Sequence, residues 1–206
     1  MRTTFLFILL LLLILFSCTK NNDSPSNVSD LEIIPLKIGN SWTYTQINFN
    51  EDGTIKDSAS IVETVTSTEN VNGNTFFHVT NSFGGDLLFR NADSKTVELI
   101  DGNGLSTFLK IVDTDSAEYY RGAYHLNGCD GTAVGIGFTS IYNINSHDCF
   151  KNDHVLIDCS GNNDTKYVFY FKPGIGLIRW DQASYKHPGN NLYYYSRLDI
   201  RSYDLK

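Results

Sequence analysis

Hydrophobic and polar positions divide the chain into three stretches. Residues 5–16, FLFILLLLLILF, form an unbroken apolar run behind a basic start at Arg2. Twelve residues make about 18 Å of helix, well short of a ~30 Å hydrocarbon core. A basic start, a short apolar run and then small residues describe a secretory signal over residues 1–17. Residues 19–30, TKNNDSPSNVSD, carry one apolar side chain, Val28. Such a stretch buries too little surface to offset its ordering entropy, so 18–30 reads as a flexible tether. From Leu31 to Lys206 no stretch carries a helical period, strand formers are abundant, and turn signals recur about every ten residues.

The turn chemistry predicts hairpins. Asp52-Gly53 separates WTYTQINF from TIKDSASIVETVTS, and Asn72-Gly73 separates that run from NTFFHVTNSF. Both dipeptides accept positive φ at little cost. Gly84-Gly85, residues 101–104 and Asn162-Asn163-Asp164 punctuate later runs. At the carboxyl end Leu192, Tyr194, Ser196, Leu198 and Ile200 alternate with Tyr193, Tyr195, Arg197, Asp199 and Arg201, which predicts a strand with the first set facing the core. Glu118 to Tyr124 reads either as a short helix or as an edge strand. The expectation is one all-β domain over 31–206 with about ten to twelve antiparallel strands. A sheet of that size must curl or split to hide its edges, giving a strongly curved sheet or open barrel, or alternatively a two-sheet sandwich.

Leu15-Phe16-Ser17-Cys18 resembles a lipobox, which implies that Cys18 is lipid-modified and becomes the first residue of the exported chain. Acyl chains contribute about 0.8 kcal/mol per buried CH₂, so a multiply acylated Cys18 holds the protein to a membrane. The stretch Cys18 to Asp23, CTKNND, resembles the lipoprotein starts of bacteroidete-type bacteria, which implies an outer-membrane lipoprotein, surface-exposed in preference to periplasmic. Two further segments, Pro35 to Tyr44 (PLKIGNSWTY) and Gly174 to Ile178 (GIGLI), are similar to the opening and closing patterns of small bacterial secreted lipoproteins of unassigned activity. That resemblance implies architecture and address, not chemistry. Its physics is structural: Gly39-Asn40 can turn the chain into a strand on which Trp42 and Tyr44 share a face, and Gly174 and Gly176 suit a tight turn.

Charge and composition narrow the partners. A formal charge of −7 without a Lys/Arg cluster argues against nucleic acid. Aromatic residues at 13% and glycine at 16 exclude a disordered or low-complexity chain. The densest polar constellation runs from Ser146 to His154, and a turn at Lys151-Asn152 would bring His147, Asp148 and His154 together as weak candidates for a Zn²⁺ site. No partner in HxxxH or CxxC spacing completes that set, so neither a metal nor a cofactor is expected. A Gly-x-Ser-x-Gly motif is missing and His78, His125 and His187 stand alone, so the chain is not expected to be an enzyme. Trp180 and Tyr185 combine flat rings with polar neighbours and are candidate contacts for a protein or glycan ligand.

An oxidising compartment permits disulfides. Cys149–Cys159 is the expected bridge because its loop is short, with Cys129 to either partner as the alternative. The functional expectation is a membrane-tethered, non-catalytic binding or structural module. One alternative is a carrier of lipid or another apolar ligand, for which a cavity of several hundred Å³ lined by Leu, Ile, Phe and Val is the diagnostic feature. The other is a hydrolase with a loop-built site, for which converging His and carboxylates are diagnostic.

Overall fold

Turn residues set the strand boundaries. Asn72 and Gly73 both adopt positive φ, 52° and 81°, as a two-residue hairpin requires. They reverse the chain between Ile55–Val71 (β2) and Asn74–Asn81 (β3). Between Ser41–Phe49 (β1) and β2, the Thr54 amide donates to Asp52 Oδ1 at 2.9 Å. The structure is a computed structural model, and it describes residues 31–206 except 102–103, 127–128 and 187–190. Hairpins continue through Asp86–Asp93 (β4), Thr96–Asp101 (β5) and Gly104–Lys110 (β6). Ala117–Leu126 (β7), Cys129–Ile144 (β8) and His147–Ile157 (β9) follow. Asn163–Lys172 (β10), Gly176–Lys186 (β11) and Asn191–Asp204 (β12) complete the chain. Among the described residues there is no helix, and Glu118 to Tyr124 is strand.

All twelve strands join one antiparallel sheet in the order β6-β5-β4-β3-β2-β1-β12-β11-β10-β9-β8-β7. The first and last strands of the chain meet at its centre, with Gln46 opposite Leu198. The sheet curls into a nearly closed barrel, so the open-barrel expectation holds and the sandwich does not. Its edges are β6 and β7, which are consecutive in sequence.

Because neighbouring strands alternate in direction, the β1–β2, β3–β4, β5–β6, β7–β8, β9–β10 and β11–β12 turns share one end of the barrel. Residues 31–40 occupy the other. Ile33 and Leu36 are buried there. The Gly174 amide donates to Glu32 O at 2.8 Å, and Asn91 Nδ2 donates to Ile34 O at 2.7 Å. Inward side chains such as Tyr44, Val65, Phe171 and Ile178 form the core, each contributing roughly 1.5–3 kcal/mol on burial.

Two sequence expectations need correction. Ser196, Leu198 and Ile200 do face the core, but Tyr194 is 44% exposed. A bulge shifts the β11–β12 register between Gln182 and Ala183, so that Ala183 opposes Tyr194 and Tyr195 is skipped; an extra residue in one strand exchanges the faces beyond it. The Cys149–Cys159 bridge is also wrong. No turn falls at Lys151-Asn152, because β9 runs unbroken through both residues. From Cys149 to the end of β9 at Ile157 the chain runs extended for eight residues, about 26 Å, before the turn that holds Cys159, whereas a disulfide needs Cα atoms about 4.4–6.8 Å apart. Cys149 is a buried free thiol. Cys159 is disulfide-bonded, and its partner is therefore a different cysteine.

Candidate functional site

The barrel encloses a cavity of ≈ 420 Å³. Period-2 alternation turns Val79, Phe89 and Leu99 inward from β3, β4 and β5, and Leu156, Phe169 and Leu198 inward from β9, β10 and β12. Ile34 and Trp42 close it at the end held by residues 31–40. Gly104, Leu105 and Ala123 also line it. Leu105 is 57% exposed, and all three stand toward the opposite end of β6 and β7. The cavity thus reaches solvent beside the seam between the two edge strands.

That seam is held at its other end by side chains in place of a strand ladder. Asn152, fully buried on β9, accepts the Lys110 amide hydrogen at 2.7 Å and donates to Lys110 O at 2.9 Å. The Tyr119 hydroxyl lies 3.2 Å from Phe108 O and 2.6 Å from His154 Nε2. Gly137 admits the connector after β6: a Cβ there would stand 2.5 Å from Val112 Cγ1.

Polar groups interrupt the apolar lining: the hydroxyls of Tyr44, Ser106, Thr107, Tyr120 and Tyr167, a carboxyl, an imidazole and two indoles. Glu63 stands on the inward face of β2 between the buried Ile61 and Val65. Burial pushes its carboxyl up to about 7, because a desolvated carboxylate is costly. His154 lines the far wall, and burial pushes its imidazole down to about 4. Trp180 stacks on Tyr167 with ring centres 6.0 Å apart and planes at 15°. Its indole Nε1 is buried and has no acceptor among the described residues.

Of the residues singled out from sequence, Trp180 lies on the cavity wall and Tyr185 does not; Tyr185 is within electrostatic reach of Lys166 instead. His147, Asp148 and His154 do not converge. Seven residues of one strand separate the two imidazoles, which therefore point to opposite faces. Asp148 accepts from Asn143 Nδ2 at 3.0 Å. No metal-holding cluster occurs among the described residues. Cys18, the signal segment and the tether lie outside the described residues. Sequence reading missed Glu63, although its place between Ile61 and Val65 in IVETV was a legible sign of a carboxyl on a core face.

No protein-family model and no curated protein matches the chain. Several solved structures do. One, assigned as an exported protein with a YmcC-like fold from Bacteroides fragilis, is 13% identical, with a TM-score of 0.52 over 84% of this chain and 99% of its own. Another, assigned as a lipoprotein from Parabacteroides distasonis, is 13% identical, with a TM-score of 0.50 over 85% of this chain and 99% of its own. The chain shares their fold. At this identity the likeness concerns architecture, and the cavity side chains speak only for this protein.

Proposed function

We propose that this protein is an exported lipoprotein, held to the outer membrane through Cys18, whose barrel binds an apolar ligand without chemically changing it. The observation that carries this reading is the ≈ 420 Å³ cavity with its Leu, Phe and Val walls. Its volume falls in the range of small-molecule sites, and it is the feature that separates a carrier from a purely structural module. The non-catalytic part of the reading draws on the polar lining. Glu63 is the one carboxyl among the described lining residues and His154 the one imidazole. The Nε2 of that imidazole is engaged by Tyr119.

The test uses the mature chain with Cys18→Ser, so that it stays in solution without detergent. Native mass spectrometry of protein purified from cell extract is expected to show an added mass that organic solvent removes. A second variant, Leu99→Trp, should lose that mass while keeping the strand signal in circular dichroism. Equal ligand in both forms, or none in either, overturns the reading. The anchor is tested separately: a fatty-acid analogue should label the wild type and not Cys18→Ala.

A further inference from the structure

The polar lining of the cavity specifies the kind of apolar molecule it suits, an inference that rests on the apolar-ligand reading above. Among the described lining residues there is no lysine or arginine. An anionic headgroup drawn inside would therefore meet no countercharge, and it would share a low-dielectric space with Glu63. His154 supplies no compensating cation at neutral pH, since burial holds it uncharged. Tyr44, which also lines the cavity, donates to Leu177 O at 3.4 Å.

The lining also carries the hydroxyls of Ser106, Thr107, Tyr120 and Tyr167, but among the described residues its buried donor without a partner is the Trp180 indole. Trp42, the other tryptophan on the wall, gives its Nε1–H to Ile175 O at 2.6 Å. Trp180 Nε1–H has no such outlet among the described residues although it is shielded from water. A buried donor without an acceptor is costly, and an incoming oxygen removes that cost. We propose that the cavity takes a neutral acyl lipid, an apolar chain bearing an uncharged ester or amide carbonyl, and that Trp180 Nε1–H donates to that carbonyl oxygen. The acyl chain lies against Phe89, Leu99 and Phe169, and Glu63 excludes the corresponding free carboxylate.

The experiment titrates the mature Cys18→Ser chain at pH 8 with methyl dodecanoate, dodecane and dodecanoate, read by displacement of a fluorescent apolar probe. The ester is expected to bind about tenfold more tightly than the alkane, the effect of one buried hydrogen bond. Trp180→Phe keeps an aromatic ring and lacks the N–H. It should erase the gap between ester and alkane, whatever the change in alkane affinity itself. Glu63→Gln should raise dodecanoate affinity toward that of the ester. Equal binding of ester and alkane by the wild type, or a gap that persists in Trp180→Phe, overturns this inference and leaves the apolar-ligand reading standing. Absence of binding by all three molecules overturns both.

Discussion

Trp42 Nε1 donates to the carbonyl oxygen of Ile175 at 2.6 Å, across 133 residues of sequence. Trp42 belongs to the opening PLKIGNSWTY segment and Ile175 to the closing GIGLI turn, so the two patterns are halves of one joint. Gly174 and Gly176 hold positive φ of 82° and 102° there, and a Cβ on Gly176 would sit 3.7 Å from Trp42 Nε1. Trp42→Phe keeps most of the ring and leaves the carbonyl without its donor. The expected loss is about 1–3 kcal/mol in urea denaturation. Gly176→Ala, strained by its φ, should also destabilise. A Trp42→Phe protein as stable as wild type would show the joint to be incidental.

The seam between the edge strands gives a second expectation. Asn152 replaces a missing strand by bonding both backbone groups of Lys110. Asn152→Leu removes both bonds without leaving a hole. The Lys110 amide should then exchange with deuterium much faster than in wild type, while amides within the β1–β12 pairing stay protected. Unchanged exchange at Lys110 would mean that the seam is held by other contacts.

The legible parts of this structure were those governed by local rules. Hairpin dipeptides such as Asn72-Gly73 fix φ within two residues, and alternation from Ser196 to Ile200 fixes a face. The bulge that turns Tyr194 outward carries no such local signature, because it arises in the pairing of β12 with β11. The Ser146–His154 cluster misled for a related reason. Lys151-Asn152 looks like a turn because Asn favours one, yet Asn152 is fixed in a strand by its side-chain bonds to Lys110, 42 residues away. Trp180 was legible as a flat ring beside polar residues. That its Nε1 lacks an acceptor depends on the closed barrel and was not.

Cys149 offers a chemical check on β9. Burial pushes its thiol up to about 11, and it is fully buried, so it should resist alkylation at pH 8 in the folded protein and react fully in denaturant. Non-reducing peptide mapping should show no link between the peptides containing Cys149 and Cys159. Rapid labelling of native Cys149, or a 149–159 linkage, would contradict the unbroken strand.

The pH dependence of stability should reveal Glu63 and His154 acting in opposite senses. Glu63 titrates near 4.5 when unfolded and about 7 when folded. Between those values the native state holds a proton that the unfolded chain releases, so this carboxyl makes stability fall as pH rises. His154 moves from 6.5 to about 4. Between those values the unfolded chain binds a proton that the native state refuses, so the imidazole makes stability rise with pH. Each full proton corresponds to about 1.4 kcal/mol per pH unit, and residual solvent contact reduces that slope. From about pH 4.5 to 6.5 the two slopes cancel as far as these groups are concerned. Glu63→Gln should therefore uncover the histidine, with urea midpoints climbing from pH 4.5 to 6.5. His154→Phe should uncover the carboxyl, with midpoints falling over the same interval and on toward pH 7. The contrast between the variants is the decisive quantity, because it stands even where both are less stable than wild type. Parallel pH profiles for the two would show that these side chains do not titrate inside the barrel.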